Sequence, residues 1–214
     1  MKTIEEIILD SYREGIFPMA ESAEDENFAF YKPYQRGLIP IADLHIPAKL
    51  LKTIRHKKFQ ITRNYAFRQV IDNCAVATPK RGKTWINRPI RDIFLSLHRE
   101  GHAHSIECWN ENRQLAGGLY GLAIGSVFCG ESMFSTETDA SKVALVALCA
   151  LLWKSGFTML DTQFINPHLL QFGAYEIPQD VYEERITTEM YAATAFVPED
   201  LQSILEEYLR FRGL

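Results

Sequence analysis

The amino-acid sequence predicts a mixed α/β fold in which a sheet is covered by helices. Between residues 46 and 190, segments with strand-like patterns alternate with segments whose apolar residues recur at helical spacing. The segment from Asp139 to about Lys154 is apolar on nearly all sides, so we expect a buried helix there, capped by Asp139. Strands separated by helices in this way are typical of a sheet with helices packed on it.

The elements are predicted in order along the chain. A helix over 3–14 with one apolar face ends at Gly15, and an acidic, turn-rich stretch runs to Asn27. The remaining helices are expected at 47–56, 66–74, 89–100, 139–154, 167–173 and 198–208. The strands are expected at 28–31, 37–41, 59–63, 103–109, 114–123, 126–131, 157–163 and 174–177.

The composition is that of an ordinary soluble globular protein, with 47% hydrophobic and 23% charged residues among 214. The longest apolar run, about 143–153, is too short to span a bilayer. Glu5 and Glu6 stand where a secretory signal would carry a basic region and then an apolar core. We therefore expect a cytoplasmic protein that does not enter membranes.

Neither the cysteines nor the histidines are spaced as metal ligands. The four cysteines have no Cys-x-x-Cys pair, so free and mostly buried thiols are expected at Cys74, Cys108, Cys129 and Cys149. The clustered histidines lack an acid or a cysteine at zinc spacing; they are His98, His102 and His104. We expect no metal and no cofactor.

Basic residues are concentrated in one segment although the net charge is −4. Between residues 49 and 83 a single acid, Asp72, accompanies ten basic residues. These are Lys49, Lys52, Arg55, Lys57, Lys58, Arg63, Arg68, Lys80, Arg81 and Lys83. Such a surface can bind a polyanion such as nucleic acid. On charge alone, a solvated helix face is the alternative.

Five segments carry distinctive combinations of residues. They are Tyr-Arg-Glu-Gly-Ile-Phe-Pro-Met (12–19), Thr-Trp-Ile-Asn (84–87), Gly-His-Ala-His-Ser-Ile-Glu-Cys-Trp (101–109), the glycine-rich segment 117–142 with Phe-Cys-Gly-Glu-Ser-Met-Phe-Ser, and Leu-Asp-Thr-Gln-Phe (160–164) with Phe-Gly-Ala (172–174). In this order and spacing they resemble the leucyl/phenylalanyl-tRNA–protein transferases. The resemblance extends from about residue 8 to residue 185.

The resemblance implies a small N-terminal domain, 1–45, on a catalytic domain, 46–214, of acetyltransferase (GNAT-like) architecture with a C-terminal helix. It also implies a reaction. The α-amino group of an acceptor protein's N-terminal Arg or Lys attacks the ester of a tRNA charged with Leu, Phe or also Met. A peptide bond forms and the deacylated tRNA leaves, which marks the acceptor for degradation through the N-degron pathway. The implied partners are aminoacyl-tRNA and the acceptor's N-terminal segment, without DNA.

The resemblance assigns catalysis to Asp161, Gln163 and Glu131. Asp161 and Gln163 are two residues apart on a predicted strand, so we expect both side chains on one side of it. Asp161 would accept a proton or orient the amine, and Gln163 would bridge the amine to the ester. Glu131 would contact the acceptor's N-terminus or support this network. The alternatives are a structural aspartate at a strand end and an ordinary ion pair of Glu131.

The remaining site residues are expected to bind the donor. Trp85 would stack the terminal adenine of the tRNA, or else it is a core tryptophan. The aminoacyl pocket would be lined by Tyr12, Met19, Leu119, Phe128, Met133, Leu145 and Leu148, for which plain core packing is the alternative. The tRNA backbone would meet Lys52, Arg55, Lys57, Lys58 and Arg63.

Two departures from the family pattern leave alternatives open. The usual lead before the first helix is missing, and Met19 stands where an aromatic residue commonly follows Phe-Pro. A different aminoacyl donor, or an acidic acceptor N-terminus, therefore remains open within the same reaction class. An acyl-CoA N-acyltransferase would need a glycine-rich pyrophosphate turn that the sequence lacks. A non-catalytic tRNA- or degron-binding module would not need the three catalytic residues.

Overall fold

The computed structural model describes residues 2–77 and 82–214, so Lys80 and Arg81 of the basic segment lie outside the described residues. The helices are α1 Ile4–Arg13, α2 Ala48–Arg55, α3 Phe67–Ala75, α4 Arg88–Arg99, α5 Ala140–Lys154, α6 Pro167–Leu170, α7 Gln179–Glu189 and α8 Leu201–Phe211. The strands are β1 Phe17–Met19, β2 Ala29–Tyr31, β3 Gln35–Ile39, β4 Gln60–Arg63, β5 Ala103–Trp109, β6 Leu115–Ile124, β7 Val127–Ser135, β8 Met159–Gln163 and β9 Tyr175–Pro178.

Seven of the described strands form one mixed sheet in the order β4-β5-β6-β7-β8-β3-β9, and β1 pairs with β2 separately. Only β7 and β8 run parallel, because the long helix α5 connects them; the other neighbouring strands are antiparallel. Apolar residues of α2, α5 and α8 form a core with one face of the sheet, and those of α1, α3, α4 and α7 form a second core. The predicted mixed sheet covered by helices is confirmed.

Helix α5 is the centre of the first core, as its sequence predicts. Twelve of its residues are buried, since it lies between the sheet and α8. Its predicted cap is wrong, however. Asp139 has a left-handed backbone (φ 71°), and its side chain makes no capping hydrogen bond. It accepts a hydrogen bond from Lys142 Nζ at 3.1 Å instead.

Two elements were not predicted, and the end of a third, β7, was predicted too early. Strand β1 has only three residues and gave no clear sequence signal. Helix α7 buries the polar Gln179 beside Tyr182 and Ile186, so its sequence shows no clean apolar face. Strand β7 extends to Ser135 rather than to Glu131. The domain boundary near residue 45 stays a prediction; β3, which precedes it, is a strand of the seven-stranded sheet.

Two interruptions of regular pairing lie at the centre of the sheet. Across β6 and β7, Tyr120 pairs with Ser132 and Gly121 with Gly130, so Glu131 is an extra, bulged residue. Across β3 and β8, Gly37 pairs with Gln163 and Leu38 with Asp161, so Thr162 is bulged in the same way. Because β7 and β8 pair only over 127–129 and 159–161, a gap lies between them beyond these bulges.

The glycine at position 37 allows the β8 bulge to approach β3. A Cβ atom there would lie 2.9 Å from Thr162 Oγ1 and from Ile165 Cγ1, closer than real side chains approach. All four cysteines are buried thiols outside any disulfide, as predicted. Among the described residues, no helix is both long and apolar enough to cross a membrane.

Candidate active site

A cavity of about 750 Å³ lies where β7 and β8 separate. Its walls come from the second half of β7, from the bend after β8, from the first half of α5 and from the loop that carries Trp85. One part of the wall is apolar and includes Leu119, Leu145, Leu148, Leu160 and Leu169. Glu131 is the only carboxylate among the described residues that line the cavity.

Glu131 is held by two donors at one of its oxygens. The Tyr12 hydroxyl donates to Glu131 Oε1 at 2.7 Å, and Gln163 Nε2 donates to the same oxygen at 3.3 Å. Burial raises the pKa of Glu131 to about 8, although the Tyr12 hydrogen bond acts in the opposite direction. Burial, together with Glu131, holds the pKa of Tyr12 well above its usual value, so its hydroxyl remains a donor.

Asp161 is fully buried and does not line the cavity. Its Oδ1 accepts hydrogen bonds from Arg36 Nε and from the Gln163 backbone N–H, both at 2.8 Å. Its Oδ2 accepts from Arg36 Nη2 at 2.6 Å and from the Tyr182 hydroxyl at 2.8 Å. A carboxylate offers about four acceptor positions, so all of them are occupied.

The contact between the Gln163 backbone and Asp161 does not follow from the alternation of a regular strand. The bulge at Thr162 breaks the alternation of β8, and Gln163 itself has a left-handed backbone with φ 56°. Its backbone N–H faces Asp161 while its side chain reaches Glu131. The three predicted catalytic residues are therefore connected, but the expectation that Asp161 and Gln163 project side by side from a regular strand is wrong.

Arg36 is one residue of this site that the sequence analysis missed. It is fully buried on β3, between β8 and β9, and its guanidinium also lies over the Tyr182 ring at 4.3 Å. In the sequence it follows Gln35 and precedes the predicted strand, which is typical of an exposed loop residue. No local pattern marks it as the partner of an aspartate that is 125 positions away.

The structure places four of the seven predicted aminoacyl-pocket residues in the cavity wall and three outside it. Leu119, Met133, Leu145 and Leu148 line the cavity together with Trp85. Tyr12, Met19 and Phe128 do not, because Tyr12 is buried behind Glu131, Met19 lies on β1, and Phe128 precedes the bulge and packs in the first core. Leu160, Leu169 and Ile39 line it without having been predicted, since each looks like ordinary core in the sequence.

The five predicted tRNA-contacting residues differ in whether they already interact with other parts of the chain. Lys57 and Lys58 form ion pairs with Glu206 at 2.8 Å and with Glu137 at 3.3 Å. Arg63 is half-buried beneath the Phe196 ring, 5.2 Å from its centroid. The remaining two, Lys52 and Arg55, are exposed on α2 and make no ion pair with another described residue.

Other parts of the chain offer few further sites for chemistry. Within residues 2–77 and 82–214, no group of three His, Cys, Asp or Glu side chains could hold a metal ion. His104, one of the clustered histidines, is hydrogen-bonded to Asn64 at 2.9 Å, and burial lowers its pKa to about 4. His104 therefore forms part of the packing.

The raised pKa of Glu131 predicts how stability depends on pH. The folded protein keeps the proton between the unfolded value near 4.5 and about 8, so this group makes the free energy of unfolding fall as pH rises through that window. Glu131→Gln removes the effect. Relative to wild type, the free energy of unfolding of Glu131→Gln should be roughly 1–3 kcal/mol higher at pH 8.5 than at pH 5. This is less than the full pKa shift implies, because the cavity wall can admit water. Urea unfolding at both pH values measures this.

The exposed Glu111→Gln variant is the control for loss of one carboxyl group, and it should not gain stability at alkaline pH. An equal stability difference between Glu131→Gln and wild type at both pH values would contradict the raised pKa.

Comparison with known proteins completes the description of the site. Residues 38–187 match the sequence model of the family described as leucyl/phenylalanyl-tRNA protein transferase. Proteins named leucyl/phenylalanyl-tRNA–protein transferase from Phenylobacterium zucineum and Rhodopseudomonas palustris (strain HaA2) are 48% identical over 189 residues and 46% identical over 191. These alignments cover 88% and 89% of this chain and 85% of each relative.

A third protein of that name, from Novosphingobium aromaticivorans, is 50% identical over 177 residues, 83% of this chain and 67% of the relative. Among solved structures, L-PGS from Bacillus licheniformis aligns with 92% of this chain and 60% of its own, at 12% identity and a TM-score of 0.41, which is too weak a likeness to support an argument. The family match and the identities of the three relatives show that the chain belongs to the leucyl/phenylalanyl-tRNA–protein transferase family.

Proposed function

We propose that the protein transfers Leu, Phe or Met from charged tRNA to the α-amino group of an N-terminal Arg or Lys. The observation that carries this proposal is a cavity whose described wall combines one carboxylate, Glu131, with an apolar part and a tryptophan. The cavity can accept an aminoacyl side chain against its leucines and an adenine against Trp85. The acceptor's amine then meets Glu131.

The chemistry requires that the amine lose a proton and that the ester lose its ribose oxygen. In the reaction we propose, the amine nitrogen forms a bond to the ester carbonyl carbon, and the bond from that carbon to the ribose oxygen breaks. The amine proton passes to Glu131, and a proton is returned to the leaving ribose oxygen. Because the pKa of Glu131 is about 8 and that of an α-amino group is about 7.7–8.0, the transfer is nearly balanced.

Asp161 and Gln163 have different places in this mechanism. Gln163 does not line the cavity itself, but its side-chain amide reaches Glu131, which does, so we propose that its second N–H donates to the developing oxyanion of the ester. Asp161 has no free acceptor position and no surface on the cavity. We therefore propose that Asp161 acts through Gln163 and that Glu131 takes the proton.

The proposal includes the setting of the reaction. Charged tRNA is a cytoplasmic molecule, so we place the reaction in the cytoplasm, where the new N-terminal residue marks the acceptor for the N-degron pathway. The proposed partners are aminoacyl-tRNA and the flexible N-terminal segment of an acceptor, and DNA takes no part.

The division between the two acids makes a prediction for transfer rates. Glu131→Gln should lower the single-turnover rate by about 10²-fold or more, the usual contribution of a general base. Asp161→Asn should retain transfer that still rises with pH, although at a lower rate, because Asp161 only fixes Gln163. Quenched-flow transfer of labelled Leu to a peptide with N-terminal Arg measures both, with Glu111→Gln as the control. A stronger loss in Asp161→Asn than in Glu131→Gln would reverse the assignment.

The apolar wall predicts which donors are used. Leu, Phe and Met side chains should each gain about 1.5–3 kcal/mol from burial, and the cavity should separate them by only about 1–3 kcal/mol. A donor Arg would be desolvated beside leucines at a cost of several kcal/mol. Competition among the four charged tRNAs, with peptides beginning Arg, Lys, Asp or Glu, tests donor and acceptor together. Equal use of Arg-tRNA and Leu-tRNA would indicate that the aminoacyl side chain does not bind against the leucines of this cavity.

The exposed cations predict which surface binds tRNA. Neutralising Lys52 and Arg55 to Gln should reduce the salt slope of tRNA binding by about two, roughly one per phosphate contact. Lys57→Gln with Lys58→Gln is the matched control and should have less effect, since both lysines already face carboxylates. Filter binding over a range of salt concentrations measures the slope. A larger reduction of the salt slope in the Lys57, Lys58 variant would indicate that tRNA binds at these two lysines instead.

A further inference from the structure

Arg36 connects parts of the chain that are distant in sequence. Its Nε and Nη2 atoms donate to the two oxygens of Asp161 at 2.8 and 2.6 Å. Its Nη1 atom donates to the carbonyl oxygen of Gly15 at 2.9 Å, on the other side of the guanidinium. The side chain is fully buried, so no water competes for these donors. Arg36 therefore holds one end of β8 and the end of α1 at a fixed separation.

The first connection leads from Arg36 to the side chain of Gln163. Arg36 fixes Asp161, and Asp161 Oδ1 accepts the Gln163 backbone N–H at 2.8 Å. This hydrogen bond supports the left-handed backbone of Gln163, a conformation that is uncommon for residues other than glycine. In this conformation, Gln163 Nε2 lies 3.3 Å from Glu131 Oε1.

The second connection leads from Arg36 to the hydroxyl of Tyr12. Gly15 follows the last turn of α1 and has φ 75°, and its carbonyl accepts hydrogen bonds from Arg36 and from Gln179 Nε2 at 3.1 Å. The Gly15 backbone N–H is bonded to the carbonyl of Tyr12 at 3.0 Å, so fixing Gly15 also fixes the turn that carries Tyr12. The Tyr12 hydroxyl lies 2.7 Å from Glu131 Oε1.

Both connections end at the same atom, Glu131 Oε1. We propose that Arg36 is a positioning residue that fixes the two hydrogen-bond donors of Glu131, and thereby sets how this carboxylate meets the acceptor's amine. This inference rests on the proposed function, because it assumes that Glu131 takes the proton. Arg36 does not line the cavity, so in this proposal it acts through Tyr12 and Gln163.

Arg36→Lys is the variant that separates the charge from the geometry. Lysine retains a positive charge beside Asp161 but lacks the planar arrangement that reaches Asp161 and Gly15 together. With its donors loosened, the ionised form of Glu131 loses support, so its pKa should rise further. We expect the midpoint of the rate's rise with pH to move upward by about 0.5–1 unit and kcat to fall about tenfold, with KM for charged tRNA nearly unchanged.

The experiment measures single-turnover transfer of Leu to one peptide from pH 6 to 9, in wild type and in Arg36→Lys. Arg91→Lys is the matched control, because Arg91 also pairs with an aspartate, Asp72, through its Nε. It should leave the midpoint where wild type has it. A merely structural role of Arg36 would lower the rate equally at every pH through loss of folded protein, and an unshifted midpoint in Arg36→Lys would overturn the proposal.

Tyr182→Phe provides a second test if Arg36→Lys does not fold. It removes the hydroxyl that donates to Asp161 Oδ2 at 2.8 Å but keeps the ring beneath the guanidinium. A smaller shift in the same direction supports the proposal, and an unshifted midpoint overturns it.

Glu131→Gln separates this inference from the proposed function. If Glu131→Gln transfers Leu with the rate and pH profile of wild type, then Glu131 is not the base and the proposed mechanism fails. If Glu131→Gln abolishes transfer while Arg36→Lys keeps the wild-type midpoint, only the role of Arg36 fails.

Discussion

The buried ion pair between Arg36 and Asp161 is the interaction on which the rest of the site depends. Removing one partner of such a pair typically costs about 3–5 kcal/mol, because the other charge stays buried and uncompensated. Here the pair has no unsatisfied position on the carboxylate, since Tyr182 and the Gln163 backbone occupy the two acceptor sites that Arg36 leaves. Four distant parts of the chain, α1, β3, β8 and α7, therefore meet at one charge.

The two carboxylates of the site differ because only one has a cation. Asp161 faces a guanidinium, whereas the donors to Glu131 within the described part of the chain are neutral and Glu131 lies against the cavity. Burial raises the pKa of Glu131 to about 8, and no cation from residues 2–77 or 82–214 forms an ion pair with it that would offset this cost. The same environment that disfavours its charge makes it a matched proton acceptor for an amine.

The cavity exists because two strands each contain one residue too many for regular pairing. The bulge at Glu131 moves that side chain out of the alternation of β7, and the bulge at Thr162 does the same on β8. Beyond these points the parallel pair no longer holds together, and α5, which connects the two strands, supplies an apolar wall. Local irregularity of the backbone and the chain connection thus produce the site together.

The sequence by itself determined the fold class, most helices and strands, the buried nature of α5 and the family. Apolar periodicity and turn residues are local signals, and the five motifs are contiguous segments, so each can be detected without coordinates. The same signals identified six residues that line the cavity, namely Glu131, Trp85, Leu119, Met133, Leu145 and Leu148, and Gln163, which donates to Glu131. They missed α7, whose few apolar residues give no clear face.

Only the tertiary structure decided which of these residues face the cavity and which support it. The exclusion of Phe128 depends on one bulge, and the pairing of Lys57 and Lys58 depends on acids from α8 and from the loop after β7. Arg36 acquires its role from an aspartate 125 positions away, and Tyr12 from a glutamate 119 positions away. These contacts cross elements that sequence spacing does not relate, because chain folding alone brings them within hydrogen-bond distance.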